Sequence, residues 1–318
     1  MRIETFKNFP DFELLDTGNG YRLERWGSVI LARPDPQIIW QHSLPDSEWD
    51  KVCAVYKSAS EEGKGQWNIN KPTPNPWIVN FKHPLLASPI PPSLKLRRTS
   101  KGEEEDGVKF LLKLSPFKHT GLFAEQAAQW EWMLDRIKNY ESGIRNKKPK
   151  ILNLFAYTGG ATMVLAKTGC HVTHVDASKP AITWANENHE LNNLPKDSVR
   201  WILDDCLKFA QRELKRGAKY QGIIMDPPAF GHSPTGKTWK FNQDLPELLE
   251  TCVALLADDA KFLIINGYAT NSSALAINNL LEDKIKTRKG GIEFGELCLK
   301  QANGRIISTG IFSRWSNS

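Results

Sequence analysis

The stretch KILNLFAYTGGATMVLAKTGCHVTHVD, residues 150–176, decides the fold. An apolar run over 150–156 breaks at Tyr157-Thr158-Gly159-Gly160. A helical pattern fills 160–168, and a second, β-branched run over 170–176 ends on an acid. Strand, glycine turn, helix and strand make one βαβ unit. The alternation continues with strands at 199–204, 220–226 and 261–266 and helical segments at 179–192, 206–215, 243–257 and 272–286. Such units in series build a doubly wound parallel sheet. Two further strands, 292–300 and 305–312, are joined by QANG, whose Asn303-Gly304 pair signals a tight hairpin. The expected fold class is therefore α/β: a doubly wound, mostly parallel seven-stranded sheet with a terminal antiparallel hairpin.

Upstream the pattern differs. Eleven of the 19 prolines and five of the 11 tryptophans fall by Pro92, among short alternating runs such as YRLERWGSVILARP (21–34). This predicts a small β-rich N-terminal domain with many turns. The stretch SLKLRRTSKGEEEDGVKFLLKLSP (93–116) predicts a β-ribbon with a solvated tip, which gives Glu103, Glu104 and Glu105 no catalytic role. The domain reading is 1–118 for the β-rich unit and ribbon, with a role in substrate recognition, and 119–318 for the α/β domain. Between them, AEQAAQWEWMLDRIKNY (124–140) puts Ala127, Trp130, Leu134 and Ile137 on one helical face.

Composition bounds the function. The chain has 318 residues, 40% hydrophobic and 25% charged, enough for a full core. No apolar run reaches the roughly 18 residues of a membrane span, and the start has no apolar signal-peptide core, so a cytoplasmic protein and no membrane partner are expected. The five cysteines (Cys53, Cys170, Cys206, Cys252, Cys298) form no paired spacing, so neither disulfides nor a metal site are expected. A net charge of +6 permits a polyanionic partner without identifying one. Oligomeric state leaves no mark in the sequence.

In such sheets ligands sit beyond the carboxyl ends of the strands. The first end carries Tyr157 to Gly160, a turn whose spacing is not GxGxxG, so a pyrophosphate cradle is not expected. The second ends in Asp176, 17 residues after Gly159, which reads either as a ribose ligand or as a helix cap. The third offers Asp204, Asp205 and Cys206, with the same two readings for the acids. The fourth ends in Asp226-Pro227-Pro228, with Phe230 behind. There a stiff backbone presents a carboxylate and an aromatic to a flat base, or Asp226 merely caps a loop. Acids at successive strand ends without a pyrophosphate cradle fit an adenosine compound.

NLFAYTGGAT (153–162), HVDAS (174–178), ILDDCLKF (202–209) and IMDPPAF (224–230), in that order, resemble the class I S-adenosylmethionine-dependent methyltransferases. More narrowly they resemble bacterial 23S ribosomal RNA large-subunit methyltransferases with SYTGG and DPPxF motifs. LKLSPFKHTGLFAEQ (112–126) is similar to that group's KTGxFxDQ stretch, and the likeness covers 105–315. It implies a methyl donor, S-adenosyl-L-methionine, held by Asn153, Phe155, Ala156, Tyr157, Thr158 and Gly159. It implies ribose at Asp176 with Ala177 and Ser178, adenine at Asp205 with Cys206, and Thr120, Gly121 and Phe123 closing over the cofactor. Asp226 would face both cofactor and target base, the latter held with Pro227, Pro228 and Phe230. RNA, 23S ribosomal RNA in particular, is the implied partner. Lys118 and His119 read as phosphate contacts or a solvated loop. Trp26, Trp40, Trp67 and Trp77 read as stacking platforms or as core.

Two departures from that pattern matter. The first hundred residues match no familiar RNA-binding domain, and INGYATN (265–271) carries Asn266 and Asn271 where cytosine carbon-5 enzymes place a cysteine. An N-methylated base is therefore the expected product. A DNA amino-methyltransferase, a methyltransferase for a protein or small molecule, and a non-catalytic RNA-binding module are the alternatives.

Overall fold

The computed structural model describes residues 1–58, 65–87, 107–138, 148–232 and 238–317. All seven expected strands are present, in the order Gly291–Lys300, Ile306–Ser316, Phe262–Gly267, Gly222–Met225, Lys150–Leu154, His171–Asp176, Val199–Leu203. Five of them run parallel and the hairpin is antiparallel. Gly304 turns it with φ +92° and donates its N–H to the Gln301 carbonyl at 2.8 Å. The sheet nevertheless has eight strands, not seven. Arg2–Glu4 adds in parallel to the edge of Gly291–Lys300, with Ile3 opposite Glu296. Three residues carry no legible period, which is why sequence alone misses this strand.

The helices stand where expected: Gly160–Lys167, Lys179–Leu191, Cys206–Lys215, Phe241–Leu255 and Ala274–Ile285. Local chemistry fixes their starts. Ser178, Asp205 and Ser273 each cap a helix by accepting from the N–H three residues on.

Phe12–Gly18, Tyr21–Trp26, Val29–Pro34, Ala54–Ser58 and Gly65–Ile69 form a separate five-stranded sheet. Val108–Leu112 is a ribbon strand as expected, but among the described residues it pairs with Trp77–Phe81; its expected partner segment, with Glu103 to Glu105, lies outside the described residues. The tryptophans of this half are core, not platforms. Trp26 and Trp77 are buried, while Trp40 and Trp67 pack against the same core with their indole N–H groups spent on Thr17 and on the Ser115 carbonyl.

One apolar core joins the two halves. Trp130, on the helix Ala127–Ile137, has its ring centroid 5.1 Å from Phe81 and 5.4 Å from Phe110. Ala127, Leu134 and Ile137 on the same face are buried as the period predicts. Each large side chain buried this way contributes roughly 1.5–3 kcal/mol.

Two strands of the N-terminal sheet carry an ion cluster that the sequence reading missed. Glu24 is 0% exposed and accepts two bonds from Arg33, at 2.7 and 3.0 Å. Arg22, also buried, lies 3.6 Å from the same carboxylate and 3.5 Å from Asp35. Arg33 also donates to the Lys118 carbonyl at 3.2 Å, which ties the N-terminal sheet to the segment leading into the site.

Candidate active site

The turn after Lys150–Leu154 is held in an unfavourable conformation by its neighbours. Phe155 and Tyr157 take left-handed φ values of +56° and +50°, which cost side-chain-bearing residues about 1–3 kcal/mol each unless the surroundings hold them. The surroundings do. Phe155 N–H meets Cys206 Sγ at 3.3 Å, Ala156 N–H the Val175 carbonyl at 3.1 Å, and Tyr157 N–H Asp176 Oδ2 at 2.8 Å. Thr158 Oγ1 donates to the Gly121 carbonyl, and Gly159, at φ +87°, starts the next helix.

Asp176 is half-buried and is not a helix cap; that role belongs to Ser178. Its second oxygen, Oδ1, accepts the Ser178 N–H at 2.8 Å. Burial raises its pKa, against the pull of these backbone bonds. Each oxygen keeps a lone pair for a ribose hydroxyl. Ala177 lies between the two in the turn. Asp205 does cap its helix, accepting from Lys208 N–H at 3.0 Å through Oδ1. Its neighbour Asp204 pairs with Arg212. Cys206 is buried and its thiol is pushed well up by burial.

The segment 119–123 folds over the strand ends. Gly121 has φ +100°, and a Cβ there would come within 2.2 Å of the Trp184 ring. Thr120 is buried, and its hydroxyl has no hydrogen-bond partner among the described residues. Phe123 packs between His119, at 4.8 Å, and Tyr157, at 5.8 Å. His119 is not a solvated loop residue: burial, then the nearby Arg33, lowers its pKa to about 3. Lys118 stands 5.7 Å over the Tyr268 ring.

Asp226 is no cap either, since the next helix starts only at Phe241. Gln126 Nε2 donates to its Oδ2 at 3.1 Å, and its pKa is pushed up to about 7 by burial and then by Glu125 beside it. Pro227 is buried and Pro228 exposed; the Pro228 carbonyl accepts from Trp239 Nε1 at 2.9 Å. Phe230 is 71% exposed, on the short strand Phe230–His232.

A single cleft gathers Gly121, Phe123, Asn153, Phe155, Ala156, Tyr157, Thr158 and Asp226. Asp176, Asp205 and Cys206 lie beyond its wall, joined to it through Tyr157 and Phe155. Gln126, Gln129, Trp130, Met133 and Asn266 also line it, and the sequence reading gave none of them a binding or catalytic role. The lining suits a sulfonium: the aromatic side chains of Phe123, Tyr157 and Trp130 favour a cation, and the Asp226 carboxyl adds a group of opposite charge when ionised.

The comparisons agree. Residues 100–287 match the family model described as S-adenosylmethionine-dependent methyltransferase. The chain belongs to the S-adenosylmethionine-dependent methyltransferase family. This methyltransferase is 33% identical to a SAM-dependent methyltransferase from Agrobacterium tumefaciens, with a TM-score of 0.86 over 100% of this chain and 94% of that one. It shares its fold, at 16% identity and a TM-score of 0.65, with SMU.776, solved in complex with SAH; 93% of this chain and 71% of that one are covered. Among curated relatives, the ribosomal RNA large subunit methyltransferases K/L of Shewanella frigidimarina and Pseudoalteromonas atlantica are 34% and 33% identical over 165 residues, 51% of this chain and 22% of theirs. The methyltransferase thus matches about a fifth of the length of those relatives. Among its described residues no helix is long and apolar enough to cross a membrane.

Proposed function

We propose that this methyltransferase places a methyl group on a nitrogen of an RNA base, in the 23S ribosomal RNA of the cytoplasmic ribosome. The observation that carries the reading is Asp226, a carboxyl in the cleft with one oxygen engaged by Gln126 and the other without a partner among the described residues. S-adenosylmethionine, when bound, supplies a methyl carbon on a positively charged sulfur. Asn153 and the 155–159 turn would hold that group, with Asp176 on its ribose and Asp205 beside its adenine. On accepting the methyl group the base nitrogen would become cationic, and Asp226 Oδ1 would take its proton. With a pKa near 7 this carboxyl exchanges that proton readily at neutral pH. Positioning supplies much of the remaining rate.

A nitrogen acceptor is favoured because carbon 5 of cytosine reacts only after a thiolate adds at carbon 6. Cys206 abuts the adenine end, and burial raises the thiols of Cys170, Cys206, Cys252 and Cys298. Support for RNA comes from the relatives' names, the net charge of +6, and two exposed aromatics, Phe117 at 56% and Phe230 at 71%, on segments entering the cleft. Phe230 would stack on the target base beside Pro227 and Pro228. The unit 1–118 would recruit the RNA through exposed lysines such as Lys57 and Lys71. The test is tritiated methyl transfer into unmodified 23S ribosomal RNA, followed by digestion and weighing of the nucleosides. An N-methylated nucleoside is expected; label in duplex DNA and none in RNA overturns the reading.

A further inference from the structure

Behind Asp226 the hydrogen bonds form an unbroken chain that begins at a side chain unable to accept. Arg314 is 1% exposed, with Nε and Nη2 held by Glu293 at 3.0 and 2.8 Å and Nη2 also by Glu4 at 2.8 Å. Its Nη1 donates to Gln129 Oε1 at 2.8 Å. Gln129 Nε2 donates to Asn266 Oδ1 at 3.0 Å, and Asn266 Nδ2 to Gln126 Oε1 at 3.1 Å. Gln126 Nε2 then donates to Asp226 Oδ2 at 3.1 Å.

Amide nitrogen and oxygen are interchangeable in shape, so the direction of such a chain must come from its end groups. Here the guanidinium sets it. Arg314 has donors only, which turns the Gln129 oxygen toward it; each amide then has its NH₂ pointing onward. Four links later Asp226 receives a donor at Oδ2. Reversing any one amide would put two oxygens, or two NH₂ groups, face to face in a buried setting, at a cost of about 1–3 kcal/mol per unsatisfied group.

We propose that Gln129, Asn266 and Gln126 are positioning residues that carry the donor polarity of Arg314 to Asp226, fixing Oδ2 as a permanent acceptor and reserving Oδ1 for the proton of the methylated base. Of the chain, Asp226 alone is assigned the proton of the reacting base. A proton on Asp226 therefore resides on Oδ1, on the oxygen from which it exchanges. The assignment of that proton to the acceptor rests on the proposed nitrogen methylation; the polarity of the chain does not. The ionisable groups around Asp226 are Glu125 from the turn Ala124–Gln126, with Arg22, Arg33 and Glu24 behind it, and the phenols of Tyr157 and Tyr268. Glu125 opposes ionisation of Asp226, and the Gln126 donor favours it. Removing the donor should therefore move the titration upward.

The test is a pH titration of the protein carrying ¹³C-labelled aspartate carboxyls, with the Asp226 signal assigned from its loss in Asp226→Asn. Gln126→Met removes the donor without adding charge, and the Asp226 midpoint is expected to rise by about one pH unit. Asn266→Leu, a second variant against failure to fold, adds no charge and removes the partner that orients Gln126, so the Gln126 amide is free to turn its oxygen to Asp226 and the midpoint rises by a smaller amount. An Asp226 midpoint unchanged in either folded variant overturns the proposal, because a purely structural role would leave it alone. The pH profile of methyl transfer to unmodified 23S ribosomal RNA should move with the midpoint. A midpoint shift in protein that methylates no RNA would sink the substrate reading and leave the chain standing.

Discussion

The backbone N–H of Tyr157 meets Asp176 Oδ2 at 2.8 Å, so the acid that ends one strand is aimed by the strained turn that ends its neighbour. Turn and acid form one unit, because neither keeps its geometry without the other.

That coupling makes Asp176→Ala a loss of affinity with a stability component. Removing charged acceptors for the ribose hydroxyls should weaken S-adenosylhomocysteine binding about 10- to 100-fold, from about 1.5–3 kcal/mol of hydrogen bonding. The melting temperature should also fall as Tyr157 loses its partner. Calorimetric titration measures the first; wild-type affinity would mean that Asp176 serves the turn alone.

Asp226→Asn separates chemistry from folding. Turnover should drop by about two to three orders of magnitude, with S-adenosylhomocysteine affinity within a few-fold of wild type. Stability should respond in the opposite sense. The folded carboxyl titrates near 7 and an unfolded one near 3.8, so the folded state binds more protons between these values. Its contribution to stability is full below about 3.8 and is lost as the pH rises through 7. Asn does not titrate, so the variant should gain melting temperature over wild type at pH 8 and lose that gain at pH 4. Thermal melts at both pH values check the sign.

Cys206 is bonded to the cleft residue Phe155 and should be inert. Its Sγ bonds Phe155 N–H at 3.3 Å, and burial keeps it protonated. Cys206→Ala should retain methyl transfer within about tenfold, given one lost weak hydrogen bond worth about 1 kcal/mol. RNA containing 5-fluorocytosine should not trap the wild-type enzyme. A covalent adduct on a denaturing gel would mean that a nucleophile has been overlooked.

Glu24→Gln probes the buried ion cluster. Arg33 and Arg22 hold this carboxyl below the usual range in spite of its burial. Neutralising it leaves two guanidinium groups buried without their shared anion, a loss of about 3–5 kcal/mol in urea unfolding. A loss below about 1 kcal/mol would show that water reaches the cluster.

The sheet was legible because period-two apolar runs and helix caps are local signals. Lys150–Leu154 with Gly159, and Ser178 before its helix, announce themselves within a few residues. The acids at 176, 205 and 226 were legible as strand ends, although choosing cap or ligand needed coordinates: Asp205 caps, while Asp176 and Asp226 do not. Gln126, Gln129 and Asn266 were illegible because their meaning lies in partners a hundred or more residues away. One trace was available. Gln129 sits beside Trp130 within an apolar helix, and Arg314 interrupts an apolar strand, and both are buried polar groups that need a partner. Arg22, Glu24 and Arg33 carried the same trace within YRLERWGSVILARP, where only the strand pattern was legible.

The edge strand Arg2–Glu4 sets a timetable for synthesis. Each of these residues is made 293 residues before its partner among Gly295, Glu296 and Leu297. At about 5–20 residues per second they wait roughly 15–60 s before they can pair. Glu4 also waits for Arg314, its contact 310 residues along. Until then Gln129 has no donor to orient it, so Asp226 acquires its settled orientation only once Arg314 has been made. A nascent chain arrested before Gly291 would hold the whole 150–267 parallel core and still lack an aligned carboxyl.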